Sequence, residues 1–122
     1  MSTATPDSLL ALRDQLRVFA AERAWEQFHT PKNLVMALSV EVAELTEHFQ
    51  WLTPEASAAL PPDTQAFVRE ELADVLLYLV RLADQLKVDL RMAAQDKIVI
   101  NAAKYPVERA RGSSAKAPRQ ST

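Results

Sequence analysis

Glu41-Val42-Ala43-Glu44-Leu45, answered further along by Glu70-Glu71-Leu72-Ala73-Asp74-Val75-Leu76-Leu77-Tyr78-Leu79-Val80, sets two acidic pairs inside strongly apolar sequence. Within each pair, Glu41/Glu44 and Glu71/Asp74, the spacing is i, i+3. At about 3.6 residues per turn this puts both carboxylates on one helical face. Unpaired negative charge among apolar side chains is costly, so each pair calls for a cation. Hard oxygen donors, with no Cys and no neighbouring His pair, favour Mg²⁺ or Mn²⁺ over zinc. A lone acidic pair of this kind is ordinarily a solvated face. Two of them on consecutive helices of an antiparallel hairpin can oppose each other and hold more than one cation. Glu70 rivals Glu71, but only Glu71 has an i+3 partner. Glu47 extends the first pair by another i+3 step and reads equally well as a supporting or a solvated group.

Outward from these pairs, periodicity predicts an all-α chain of four helices. The first runs from about Asp7 to Ala24 with a stripe of Leu9, Leu12, Leu16 and Phe19 or Ala20. The second starts at Thr30-Pro31, a capping residue followed by the proline favoured at the first helical position, and ends near Trp51-Leu52-Thr53-Pro54. Its stripe is Leu34, Leu38, Val42, Leu45 and Phe49. Residues 53–62, with Pro54, Pro61 and Pro62, read as a loop. Asp63 is the expected cap of a third helix reaching about Lys87 through Phe67, Leu72, Val75, Leu79, Leu82 and Leu86. Asp89 caps a fourth that stops by Tyr105-Pro106, and Met36 and Met92 read as core fillers. The second and third helices are apolar nearly all round apart from the carboxylate face. That predicts a four-helix bundle-like fold whose core is completed by homo-oligomerisation, as a dimer or a tetramer.

With 122 residues, 48 % of them apolar and a single Gly, the chain reads as one helical domain with a real core. There is no Cys, which is compatible with a reducing cytoplasm. Met1 to Asp7 lack the basic start and apolar run of a signal peptide, and Leu72–Ala83 is too short and too charged to span a bilayer. A cytoplasmic protein without membrane association is expected. The net charge of −2 is uneven: residues 104–122 carry five basic groups against Glu108, the rest nine basic against fifteen acidic. We divide the chain into a folded segment, 1–106, and a basic, disordered tail, 107–122. No aromatic residue follows Tyr105, so no specific nucleic-acid partner is expected.

Divalent ions on carboxylates, without redox ligands, fit phosphate chemistry: the ion neutralises phosphate oxygens and acidifies a bound water, and a spare carboxylate serves as base. Substrate phosphates also need cations. Lys97, Asn101 and Lys104 fall at i, i+4 and i+7 on the fourth helix and supply two, with an amide between them.

Taken together, the paired acids, Trp25-Glu26-Gln27-Phe28-His29 with Asn33-Leu34, Phe49-Gln50-Trp51, and Lys97, Asn101 and Lys104-Tyr105-Pro106 resemble the MazG-like, all-α nucleoside triphosphate pyrophosphohydrolases, over about residues 8–107. The dCTP pyrophosphatase branch is the nearest resemblance. It implies Mg²⁺-dependent hydrolysis of dCTP, or a modified dCTP, to the monophosphate and pyrophosphate, a task of nucleotide-pool sanitation. It further implies that Glu41, Glu44, Glu71 and Asp74 ligate the metal, with Glu41 or Glu44 taking the proton of the attacking water. Lys97, Asn101, Lys104 and Tyr105 would contact phosphates, Trp25 and His29 shape the base pocket, Trp51 stack on the base, and Tyr78 pack on the deoxyribose. Two other readings fit the same residues: a pyrophosphohydrolase of broader triphosphate specificity, and a non-catalytic helical module binding cations structurally.

Overall fold

The structure is a computed structural model that describes residues 7–119. Its elements are α1 (Ser8–Glu22), a 3₁₀ turn (Glu26–Phe28), α2 (Pro31–Glu47), α3 (Pro54–Ser57), α4 (Pro62–Gln85), α5 (Leu90–Lys104) and α6 (Val107–Ala110). The expected all-α class holds, with no strand among the described residues. The signal-peptide reading of the first six residues falls outside the described part, as do the outermost ends of the two sequence segments. No described helix is long and apolar enough to cross a membrane.

The chain divides into two compact units, Met1–Val88 and Asp89–Thr122. In the first, α2 and α1 both pack along α4. Helix starts follow the capping logic of the sequence. Asp7 accepts hydrogen bonds from the Leu9 and Leu10 amides at 2.9 and 3.3 Å, and the Thr30 hydroxyl accepts from the Asn33 amide at 3.2 Å. The Asn33 side chain also donates to the Phe28 carbonyl at 3.0 Å, tying the 3₁₀ turn to the start of α2.

Helix ends depart from expectation. α1 stops at Glu22 because Ala24 adopts a left-handed conformation, φ 53°, and the Trp25 amide then reaches back to the Ala20 carbonyl at 2.9 Å. That six-to-one closure normally recruits Gly, and Ala in this region costs roughly 1 kcal/mol. It turns Trp25 off the helix axis. The end of α4 repeats the device with Lys87 at φ 57° and a bond from the Val88 amide to the Ala83 carbonyl. α2 ends at Glu47 and passes into turns, earlier than expected. Pro54–Ser57 form the short α3, capped by Thr53, inside the predicted loop. α4 begins at Pro62 with Pro61 at the cap position, so Asp63 lies in the first turn rather than capping it.

The buried apolar side chains among the described residues are Ala20, Leu34, Val68, Val80 and Ala83. Met36 and Met92 are 58 % and 59 % exposed, so the expectation that they fill the core is corrected.

In the second unit, Asp89 caps α5 as expected, accepting from the Met92 amide at 3.0 Å. The tail from residue 107, expected to be disordered, begins with α6, which Gly112 (φ 74°) terminates. Further on, the Ala117 amide donates to the Tyr105 hydroxyl at 3.1 Å. The division at residue 107 stays a proposal.

Candidate active site

α2 carries Glu41 and Glu44, and α4, packed along it, carries Glu71 and Asp74. The four share one electrostatic field. Partial burial pushes the Glu41 carboxyl up from the ordinary carboxylate range, and the charge of Glu44, a proton shared with Glu44, and the charges of Asp74 and Glu71 push it further the same way. Like charges this close disfavour simultaneous ionisation.

Glu71 supplies a second sign of a missing partner. Its Oε2 is buried with no hydrogen-bond partner. His48 Nε2 lies 2.9 Å away but is not aligned for a hydrogen bond, which leaves the oxygen without one. His48 itself stacks on Phe67, ring centroids 6.3 Å apart and nearly parallel. As the side chains stand, no three His, Asp or Glu groups among the described residues are gathered closely enough to hold a metal ion. An orphaned buried oxygen, mutual repulsion within the quartet and an all-oxygen donor set nonetheless fit a hard divalent cation, which would draw the side chains inward. Glu47, by contrast, is exposed, as is Glu70.

Asp74 also belongs to a second feature. With Leu16, Phe19, Ala20, Trp25, His29, Leu34, Leu77, Tyr78 and Arg81 it lines a cavity of about 220 Å³ in the first unit. The walls are largely apolar and aromatic. Trp25 stands edge-on to Phe19 at 5.7 Å and to His29 at 6.2 Å. The left-handed turn at Ala24 and the 3₁₀ turn therefore deliver Trp25 and His29 to the same pocket that Tyr78 enters from α4.

The polar floor is a network absent from the sequence reading. Arg81, only 6 % exposed, donates from Nε to His29 Nδ1 at 3.0 Å and from Nη1 to Asp84 Oδ2 at 3.4 Å. Asp84 also receives two bonds from Arg17 of α1, at 2.8 and 2.6 Å. The hydrogen bond from Arg17 holds the Asp84 carboxyl below its ordinary value, outweighing burial, with the charges of Arg17, Arg81 and Arg13 acting the same way. A carboxylate depressed on folding contributes stability above its unfolded value near 3.8, and this is lost as pH falls through the lower folded value. Asp84→Asn is therefore expected to lower the thermal midpoint by several degrees at pH 7 and by progressively less as pH falls below 3.8, as calorimetry across that range would read. Burial and then the Arg81 charge push the His29 ring below its usual value, so it is neutral at neutral pH.

Trp25, His29 and Tyr78 thus line one pocket with Asp74. Trp51 does not join them: it is 88 % exposed, in the turns after α2, and is absent from the pocket lining. The expectation that it stacks on a base in this pocket is not met within the single chain. Lys97, Asn101 and Lys104 are exposed along α5, followed by Tyr105, all in the second unit. His48 and Arg81 escaped the sequence reading although spacing marks both. His48 follows Glu41 by seven residues and Arg81 follows Asp74 by seven, two helical turns on the same face in each case.

The MazG-like family model matches residues 36–118, a stretch containing both acidic pairs. The chain belongs to the MazG-like family. Among its relatives, dCTP pyrophosphatase 1 of Mus musculus is 52 % identical over 100 residues, 80 % of this chain and 59 % of the relative. The Homo sapiens protein of the same name is 51 % identical over the same shares. The chain thus spans about three fifths of the length of these curated relatives. A solved pyrophosphatase from Archaeoglobus fulgidus superposes with a TM-score of 0.79 at 37 % identity, covering 87 % of this chain and 99 % of that one. A MazG-like chain implies a divalent metal cofactor, in keeping with the unsatisfied oxygen of Glu71.

Proposed function

We propose that the chain is a Mg²⁺-dependent nucleoside triphosphate pyrophosphohydrolase, cleaving dCTP or a base-modified dCTP to the monophosphate and pyrophosphate and so cleansing the nucleotide pool. One observation carries this reading: Asp74 belongs both to the acid quartet and to the lining of the aromatic pocket. A phosphate-binding cation and a base-sized recess thereby share an edge. The likeness to dCTP pyrophosphatase 1 gives the substrate class its support.

Glu41, Glu44, Glu71 and Asp74 would hold Mg²⁺, with Mn²⁺ an acceptable substitute. When bound, the ion supplies charge neutralisation at the phosphate oxygens and a more acidic water. Glu41, whose carboxyl sits above the ordinary range in the ion-free protein, is our choice of general base, with Glu44 as its alternate. Trp25 and His29 wall the base, and Lys97, Asn101, Lys104 and Tyr105 are our phosphate contacts. The exposed Trp51 contributes once a second copy covers it. Val35, Met36, Val40 and Val42 on α2, and Leu72, Leu76 and Leu79 on α4, are all more than a third exposed. Apolar surface on this scale supports a homo-oligomer; our reading places a tetramer ahead of a dimer, and the enzyme in the cytoplasm.

Tyr78 follows Asp74 by one turn and lines the same pocket, where it would pack on the sugar. Tyr78→Ala is expected to reduce the preference for dCTP over CTP, read as the ratio of kcat/KM values, by about tenfold. An unchanged ratio removes that role. The reading as a whole is tested by assaying pyrophosphate release from canonical and base-modified triphosphates with Mg²⁺. Cytosine deoxynucleotides should lead the panel; no release from any triphosphate would defeat the proposal.

A further inference from the structure

Arg81 is a buried cation that the phosphate chemistry does not use. Its guanidinium cannot lose a proton in a protein, so Nε can only donate. At 3.0 Å from Nε, Nδ1 of His29 must therefore present a lone pair. The ring proton then sits on Nε2, because the neighbour dictates the tautomer. An imidazolium would set N–H against N–H, and the charges around the ring oppose it too. Arg17 and Arg81 are cationic, Asp84 pairs with both and Asp14 lies 3.8 Å from Arg17, and Asp74 lines the pocket from α4. Nε2, on the other edge of the ring, has no hydrogen-bond partner among the described residues and is not one of the buried unsatisfied atoms. It is thus free to meet a ligand in a pocket whose walls are otherwise chiefly apolar.

We propose that Arg81 is a positioning residue for base selection: by occupying Nδ1 of His29 it fixes the Nε2–H form, so that the pocket aims an N–H at a carbonyl or ring-nitrogen acceptor of a pyrimidine. This rests on the reading above that the pocket receives the base. A base offering its own N–H at that edge meets donor against donor and is rejected, since a buried donor left unpaired costs more than the bond gains. Arg81 acts only through His29 and touches no reacting atom.

Ring-nitrogen NMR reads the tautomer without turnover. The wild type is expected to show Nε2–H with bare Nδ1, and Arg81→Met a mixture of the two forms. KM for dCTP should rise about tenfold in Arg81→Met, with kcat within about twofold, and Arg81→Lys should recover part of both signals. His29→Phe leaves Arg81 and Asp84 in place, so it stands in should Arg81→Met fail to fold; it is expected to raise KM about tenfold as well. A protonated Nδ1 in the wild type, or an unchanged KM in His29→Phe, overturns the proposal. Absence of dCTP turnover by a wild type that shows the Nε2–H form overturns the substrate reading and the donor's role with it. Turnover with unchanged KM in His29→Phe overturns the donor's role alone.

Discussion

Glu71→Gln is expected to lower pyrophosphate release by about 10³-fold or more, since a lost ligand charge removes several kcal/mol of stabilisation at the phosphates. The same change should leave the ion-free protein at least as stable as before. Oε2 of Glu71 is buried without a hydrogen-bond partner, and the Glu71 charge is among those that push Glu41 up. Removing that charge relieves repulsion within the quartet, while the Gln side chain still offers a polar partner to His48, 2.9 Å from the carboxylate, so the thermal midpoint without added metal should hold or rise. This opposition separates a functional carboxylate from a structural one. A residue that merely tied α2 to α4 would lose stability and activity together. Activity within tenfold of the wild type, at equal folding, would mean that Glu71 does not serve the reaction.

Leu34→Ala should be the most damaging change to the fold. Leu34 is 2 % exposed, the largest fully buried side chain of the described residues, and lies one turn into α2 beyond the Thr30 cap. Truncating a buried Leu loses its transfer free energy and leaves a cavity, a cost of about 2–5 kcal/mol. Against a typical total of about 5–15 kcal/mol this takes a large share. Leu34 also lines the pocket, so part of the loss is expected to appear as a weaker KM for dCTP. Urea unfolding at fixed protein concentration would read the first effect; a shift in stability below about 1 kcal/mol would show that the site collapses around the smaller side chain.

Much of this was legible in residue order. Thr30-Pro31 and Asp89 announced the starts of α2 and α5, because an oxygen-bearing cap and a first-turn proline answer a local need for hydrogen-bond acceptors and a fixed φ. The i, i+3 acids needed only helical geometry to be placed on one face. Helix ends were harder. Ala24 and Lys87 take left-handed turns where a Gly would have been the visible signal, so α1 and α4 stop where tertiary packing dictates. Arg81 was hidden for a different reason: its partners are His29 and Asp84, and the His29 contact spans 52 residues, a pairing no local pattern encodes. Met36 and Met92 read as core because an apolar residue at helical spacing looks the same in sequence whether it faces the interior or an exposed face. Trp51 belongs to the same class, an apolar ring left exposed by the single chain.

Mn²⁺ binding, followed by electron paramagnetic resonance, addresses the carboxylate quartet without reference to any substrate. Glu41→Gln and Glu44→Gln on α2, and Glu71→Gln and Asp74→Asn on α4, are each predicted to weaken binding about tenfold or more, because one ion cluster draws on both helices. If the α2 variants bind Mn²⁺ as the wild type does while the α4 variants do not, the two pairs share no cluster and the account fails.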